Sequence, residues 1–451
     1  MSAAAQDAGL PLGASYDGMI GIVADPMLQH RPGRHYRIAL GLAFLATLSF
    51  IGLVTWLFVA GIGIYGNNAT VVWGFPIANY VWWIGIGNAG TLISALLLLT
   101  RQPWRASINR FAEAMTLFAA SIAGLFPILH LGRPYRAYWL APYPNTMELW
   151  PQWRSALVWD FAAIAVYILF SLLFWYLGLI PDLATMRDRA RSRRARLVYG
   201  VLAFGWRGSA RHWQRHDAVY RAMAALAVPL VVSVHSVVGL DFAASLMPGW
   251  QESIFPPYFV VGALFSGFAM VVTLAVILRW GLGLQAVITE RHFDAMGKIL
   301  LAGAIVMGMS YATEWFLAWY GGERAEREVL HFEFTGPYAP LYWTMLACNV
   351  AVPQLLWFRR LRTGLLATFL IAVAINIGMW LERVLIIWNT LSHGYLPSMR
   401  RLFQPTFWDW ATLATSFGVF VFLFLCFVRL VPAVAMHDVN KRLHDEQAGR
   451  A

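Results

Sequence analysis

The sequence predicts an all-α, polytopic membrane protein of about ten transmembrane helices, and three observations carry that prediction. Hydrophobic residues make up 59% of the 451-residue chain and charged residues 13%, against roughly half apolar and a quarter charged in a soluble domain. Ten apolar runs are long enough, at roughly 17 to 25 residues, to cross the hydrocarbon as helices. Basic residues concentrate on one side of those runs. With 22 Trp and 29 Phe as well, the balance excludes a disordered chain, a nucleic-acid binder and a disulfide scaffold.

In chain order, residues 1–38 hold no long apolar stretch followed by a small-residue cleavage site, so they are expected to remain as a tail. The spans follow near 39–64, 76–99, 110–131, 156–179, 219–240, 258–280, 297–320, 338–358, 364–388 and 409–432. Together they make a membrane domain of residues 39–432, with a basic loop at 181–218 and a C-terminal tail at 433–451. Cys348 and Cys426 both lie inside apolar runs. Neither a disulfide framework nor a Cys-ligated cluster or zinc site is therefore expected, and no metal is assigned to this chain.

Ten crossings put both termini on one side. Of the 34 Lys and Arg, 26 fall on that side, seven on the other (Arg133, Arg136, Arg154, Arg324, Arg327, Arg400 and Arg401) and Arg383 lies within a span. The positive-inside rule then makes both termini cytoplasmic in a bacterial inner membrane. The run Arg187–Arg196 reads as a topology anchor touching anionic lipid heads.

Ionisable side chains in hydrocarbon are costly and mark functional positions by default. His130 ends the third span after Pro127, and Asp160 opens the fourth. His235 and Asp241 end the fifth, Glu314 lies in the seventh, Glu382 and Arg383 in the ninth, and Asp409 at the start of the tenth. All are expected in the outer leaflet, with Arg133 just beyond. Taken singly, Asp241, Asp409 and Arg133 can equally cap a helix or snorkel, and Glu382 with Arg383 can equally be a structural ion pair. Pro127 and Pro229 each free backbone acceptors shortly before a histidine.

Buried His and carboxylate groups among aromatics suit a small amphipathic ligand that exchanges protons and enters from lipid. A quinol fits, because its oxidation releases two protons and needs bases within reach of the ring oxygens. The chain lacks a haem-attachment motif as well as Cys ligands, so released electrons must pass to a partner subunit. Two other readings stay open. His130 and His235 could ligate one b-type haem. A secondary transporter or proton channel needs polar groups near the midplane, where Asn88, Ser94 and Gln354 are the obvious candidates.

The stretches Trp83–Ala95, Asn109–Thr116, His130–Pro134, Pro142–Asn145 and Val234–Trp250 resemble the NrfD-like, polysulfide-reductase-type membrane subunits. More specifically they resemble the ten-helix kind, ActC, of bacterial alternative complex III. The resemblance extends over roughly residues 20–435. It implies two four-helix bundles with two flanking helices, and a menaquinol or ubiquinol site near the periplasmic surface. There His130, Asp160 and Asp241 would be catalytic. The depth of the other polar residues adds Arg133, His235, Glu314, Arg383 and Asp409 as expected substrate-binding residues and Asn88 and Glu382 as an expected proton path. The resemblance also implies partners: a periplasmic iron–sulfur subunit, c-type haem subunits, a second NrfD-like membrane subunit, and a cytochrome c or terminal oxidase as acceptor. The family often has His where this chain has Asn88, and an Asn hydrogen-bonds without taking up a proton.

Overall fold

The computed structural model describes residues 16–28, 32–140 and 156–447; the Pro142–Asn145 motif, Arg154 and the extremities of both tails lie outside that set. Among the described residues the chain forms α1 (Tyr16–Leu28), α2 (Arg34–Ala60), α3 (Phe75–Leu99), α4 (Asn109–His130), α5 (Ala156–Arg189), α6 (Arg193–Leu202) and α7 (Ala210–Ala243). It continues with α8 (Phe255–Gly281), α9 (Glu290–Tyr320), α10 (Arg324–Thr335), α11 (Ala339–Leu346), α12 (Arg359–Thr363), α13 (Leu365–Ser392), α14 (Phe407–Leu430) and α15 (Met436–Gln447).

Nine of these, α2, α3, α4, α5, α7, α8, α9, α13 and α14, are long and apolar enough to cross a membrane. The span expected at 338–358 is built differently. The eight residues of α11 run into a five-residue π segment, Ala347–Ala351, and a six-residue 3-10 segment, Val352–Trp357. Pro353 has no N–H to give the carbonyl four residues back, so a regular α-ladder cannot pass it. The ten expected crossings thus become nine α-helices and one composite. Two stretches read as loops are also largely helical: α5 continues through Pro181 to Arg189, followed by α6, and α10 fills 324–335.

Helices α3, α4, α5 and α7 pack as one bundle, and α8, α9, α13 and the composite helix as a second. α2 and α14 pair with each other against the first bundle. The bundles meet through α7 against α8 and through α3, which is buried around almost its whole circumference. Small residues permit this, since lipid gives helices no hydrophobic reason to associate and close backbone approach must substitute. A Cβ on Gly87 would stand 3.0 Å from the Ala120 nitrogen of α4. α2, in contrast, turns Leu42, Leu45, Ile51 and Val59 outward, as a lipid-facing helix must.

Candidate functional site

The first bundle opens at one end into a cavity of about 320 Å³. Each wall is the end of a helix. α4 delivers His130 at its last residue, where Pro127 interrupts the helical ladder and Gly132, at φ +67°, turns the chain away. α5 contributes Asp160 and Phe161 from its first turns, α7 contributes Asp241 and Phe242 from its last, and α3 contributes Tyr80 and Val81. Trp73, Ile128, Ile164 and Ile168 make much of the rest apolar.

The polar groups converge within this apolar shell. Tyr80 donates its O–H to Asp160 Oδ2 at 2.6 Å. Asp160, 6% exposed, and Asp241, also buried, line the same cavity. Among the described residues His130 Nδ1, Asp160 Oδ1 and Asp241 Oδ1 have no N–H or O–H partner. A ligand with its own hydroxyls or carbonyls would meet an acidic pair, an imidazole and a phenol in one place.

The three residues singled out as catalytic are therefore neighbours. The others go elsewhere. Arg133 is exposed beyond α4. His235, expected beside the substrate, instead lies inside the bundle, hydrogen-bonded through Nδ1 to Asn88. It lines a space of only about 10 Å³. An imidazole is thus supplied from α7 at the level where α3 carries Asn88. Asp409 caps α14, its Oδ2 accepting from the backbone N–H of Thr406 at 2.8 Å and of Gly66 at 2.9 Å, and it does not line the cavity.

Glu314, Glu382 and Arg383 belong to the second bundle. Arg383 approaches Glu382 at 2.8 Å, an ion pair rather than an aligned hydrogen bond, and lies over the Phe259 ring at 4.2 Å. Tyr311 donates to Glu382, as does Asn349 at 3.3 Å. Glu314 lines a narrow space of about 20 Å³ with Glu252, Glu326 and Glu333. Burial, reinforced by neighbouring carboxylates, pushes Glu252 up to about 7 and Glu333 up to about 8.

At the opposite end of the first bundle lies a buried network absent from the sequence-based expectation that costly residues gather in one leaflet. Glu113 accepts from Tyr220 at 2.9 Å and from Ser94. Arg110 bonds Asp182 at 2.9 Å and the Gly178 carbonyl at 2.7 Å. Asp438 of α15 closes the network on Arg105 at 2.8 Å, and against the cost of burial Arg105 holds that carboxyl below its usual range. The i,i+3 pairing of Arg110 with Glu113 was the available signal. Tyr80 was also missed, being one aromatic among many.

Fold and cavity together define an integral membrane protein with an apolar-walled cavity, lined by titratable side chains, between four helices. The chain belongs to the NrfD family: the family described as "Polysulphide reductase, NrfD" matches residues 63–392. That range contains both bundles and leaves α2 and α14 outside. A protein of Halobacterium salinarum, provisionally named as a membrane subunit of dimethyl sulfoxide reductase, is 29% identical over 239 residues, 52% of this chain and 51% of that protein. The match thus spans about half the length of this relative. A selenate reductase subunit of Mesobacillus selenatarsenatis is 21% identical over 421 residues, 89% of this chain and 95% of that one.

Proposed function

We propose that this chain is the quinol-oxidising membrane subunit of a multi-subunit oxidoreductase. The observation that carries the reading is the meeting of His130, Asp160, Asp241 and Tyr80 in one apolar-walled cavity. A quinol ring fits between Trp73, Phe161 and Phe242. Its two O–H groups face acceptors in the imidazole and the acidic pair, and each departing proton has a base within the same wall. As the two protons leave, the two electrons go to a redox centre on a partner chain, and the quinone returns to lipid. Menaquinol and ubiquinol both meet these requirements.

The motifs point to the alternative complex III type, with iron–sulfur and c-type haem subunits beside a second NrfD-like subunit. The names of the two relatives point to a reductase complex. The step at the cavity is the same in both. The excess of basic residues at the α4 N-terminal, α6 and α15 end supports an orientation with that end in the cytoplasm and the cavity at the outer face. Labelling single-Cys variants in intact cells tests this orientation: outside access to α6 would reverse it. Asn88 with His235, then Thr91, Ser171 and Thr116, then Ser94, Glu113 and Tyr220, form polar steps along α3 from the cavity toward the inner network, and these support a proton route as well as proton release.

His130→Ala is the test of the site. In the assembled complex it should abolish quinol oxidation and weaken binding of quinone-site inhibitors while all haem absorbance stays unchanged. Loss of a b-type absorbance would instead favour haem ligation, and full activity would remove His130 from the site.

A further inference from the structure

A second large cavity lies at the other end of the molecule, in the second bundle. It has a volume of about 420 Å³, inside the range of small-molecule sites, and sits where the end of α8, the start of α9 and α12 converge. Its lining differs from that of the quinol cavity. Arg279, Arg291 and Arg359 come to it from three separate elements, joined by the hydroxyl-bearing Thr289 and Thr363. Arg279 is fixed in place: it donates to the Ile288 carbonyl at 3.1 Å and lies over the Phe293 ring.

Two carboxylates, Asp294 and Glu290, share the lining. Asp294 is held by Arg362 and by Lys298, each at 2.7 Å. Glu290 stands in the first turn of α9, where the helix dipole favours a negative group.

The rim supplies the second half of the argument. Trp280, 86% exposed, follows Arg279 directly, and exposed Trp357 and Phe358 precede Arg359. Indole rings of this kind settle at the headgroup level of a bilayer. Each flanks one of the cavity's arginines at the end of a membrane-crossing element, so the cavity opens at the depth of lipid phosphates, with apolar helix surface leading from it into the hydrocarbon.

We propose that this cavity binds the phosphodiester headgroup of an anionic glycerophospholipid, with the acyl chains lying against the second bundle. Guanidinium groups match phosphate oxygens bidentately, and basic pockets between transmembrane helices recognise such headgroups. The site has no part in quinol oxidation and stands whether or not that reading does.

The test uses the purified full-length complex in mild detergent, with lipid retention read by native mass spectrometry after exposure to phosphatidylglycerol, cardiolipin or phosphatidylcholine. The wild type should retain the anionic lipids and release phosphatidylcholine. Arg291→Gln combined with Arg359→Gln, both at exposed positions, should weaken retention roughly 30-fold, from the worth of two basic residues at a membrane surface. Arg193→Gln combined with Arg194→Gln in α6 should leave it unchanged. Equal loss in both pairs, equal retention of phosphatidylcholine, or displacement by millimolar inorganic phosphate alone would each overturn the proposal. Thermal unfolding of each variant complex, matched to wild type, separates loss of lipid from loss of fold.

Discussion

The two bundles bury ionisable residues in their membrane-crossing helices, yet they use them in opposite ways. In the first, the acidic pair, the imidazole and Tyr80 surround a cavity of about 320 Å³, and three of their polar atoms lack a donor among the described residues. In the second, Glu382 and Arg383 neutralise each other, with Tyr311, Asn349 and the Phe259 ring closing around them. Charge buried in a membrane protein is therefore not by itself a sign of chemistry. What separates site from scaffold is whether the charge faces space or a partner.

Asp160→Asn should break the comparison most sharply. It keeps shape and the bond from Tyr80 but cannot accept a proton, so quinol turnover should fall by about 10² to 10⁴, the usual worth of a general base, with assembly intact. Wild-type turnover in that variant would reduce Asp160 to a structural residue of the same standing as Glu382. Arg383→Ala should do the reverse. Removing one partner of a buried pair costs about 3–5 kcal/mol, so thermal unfolding should move well down while turnover per assembled complex stays near wild type. A normal melting profile with lost turnover would put Arg383 in the quinol chemistry.

Tyr80→Phe is a finer probe. The hydroxyl makes one hydrogen bond to Asp160, worth about 1 kcal/mol, and turnover should fall roughly tenfold or less, with a change in its pH profile that Arg383→Ala lacks. A pH effect is expected at the end of the second bundle where Glu252 and Glu333 lie. Glu252 and Glu333 sit at about 7 and about 8 when folded, above the ordinary Glu value near 4.3 when unfolded. A raised acid favours folding only while protonated, so stability should fall as pH rises from about 5 to 8. Glu333→Gln should flatten that slope in thermal melts; an unchanged slope would assign it to other groups.

Apolar length alone locates the nine α-helical crossings, because a helix exposed to lipid must be apolar over its whole length. It could not show that the remaining one of the ten would change pitch at Ala347–Ala351, since only Pro353 hinted at it. Depth along a span was legible too, and it placed His130, Asp160 and Asp241 at one level. Rotational phase and tilt were not. His235 lies six residues from Asp241 on α7, yet one contacts Asn88 in the interior and the other faces the cavity. The inner network escaped because Arg105, Arg110 and Asp438 border the interface where basic and acidic residues are ordinary; their significance lies in burial, which composition does not report.

The link from Asp438 to Arg105 and Asn109 carries a consequence for how the protein is made. Arg105 precedes its counter-ion by 333 residues. Synthesis runs from the N-terminus at about 5–20 residues per second, so α3, α4 and α5 are inserted well before α15 leaves the ribosome. During that interval the first bundle holds a cation whose partner does not yet exist. The Arg105 end of the bundle is completed by α15, and a chain stopped short of it would be left with that charge uncompensated, a natural mark by which a quality-control protease could tell unfinished molecules from finished ones.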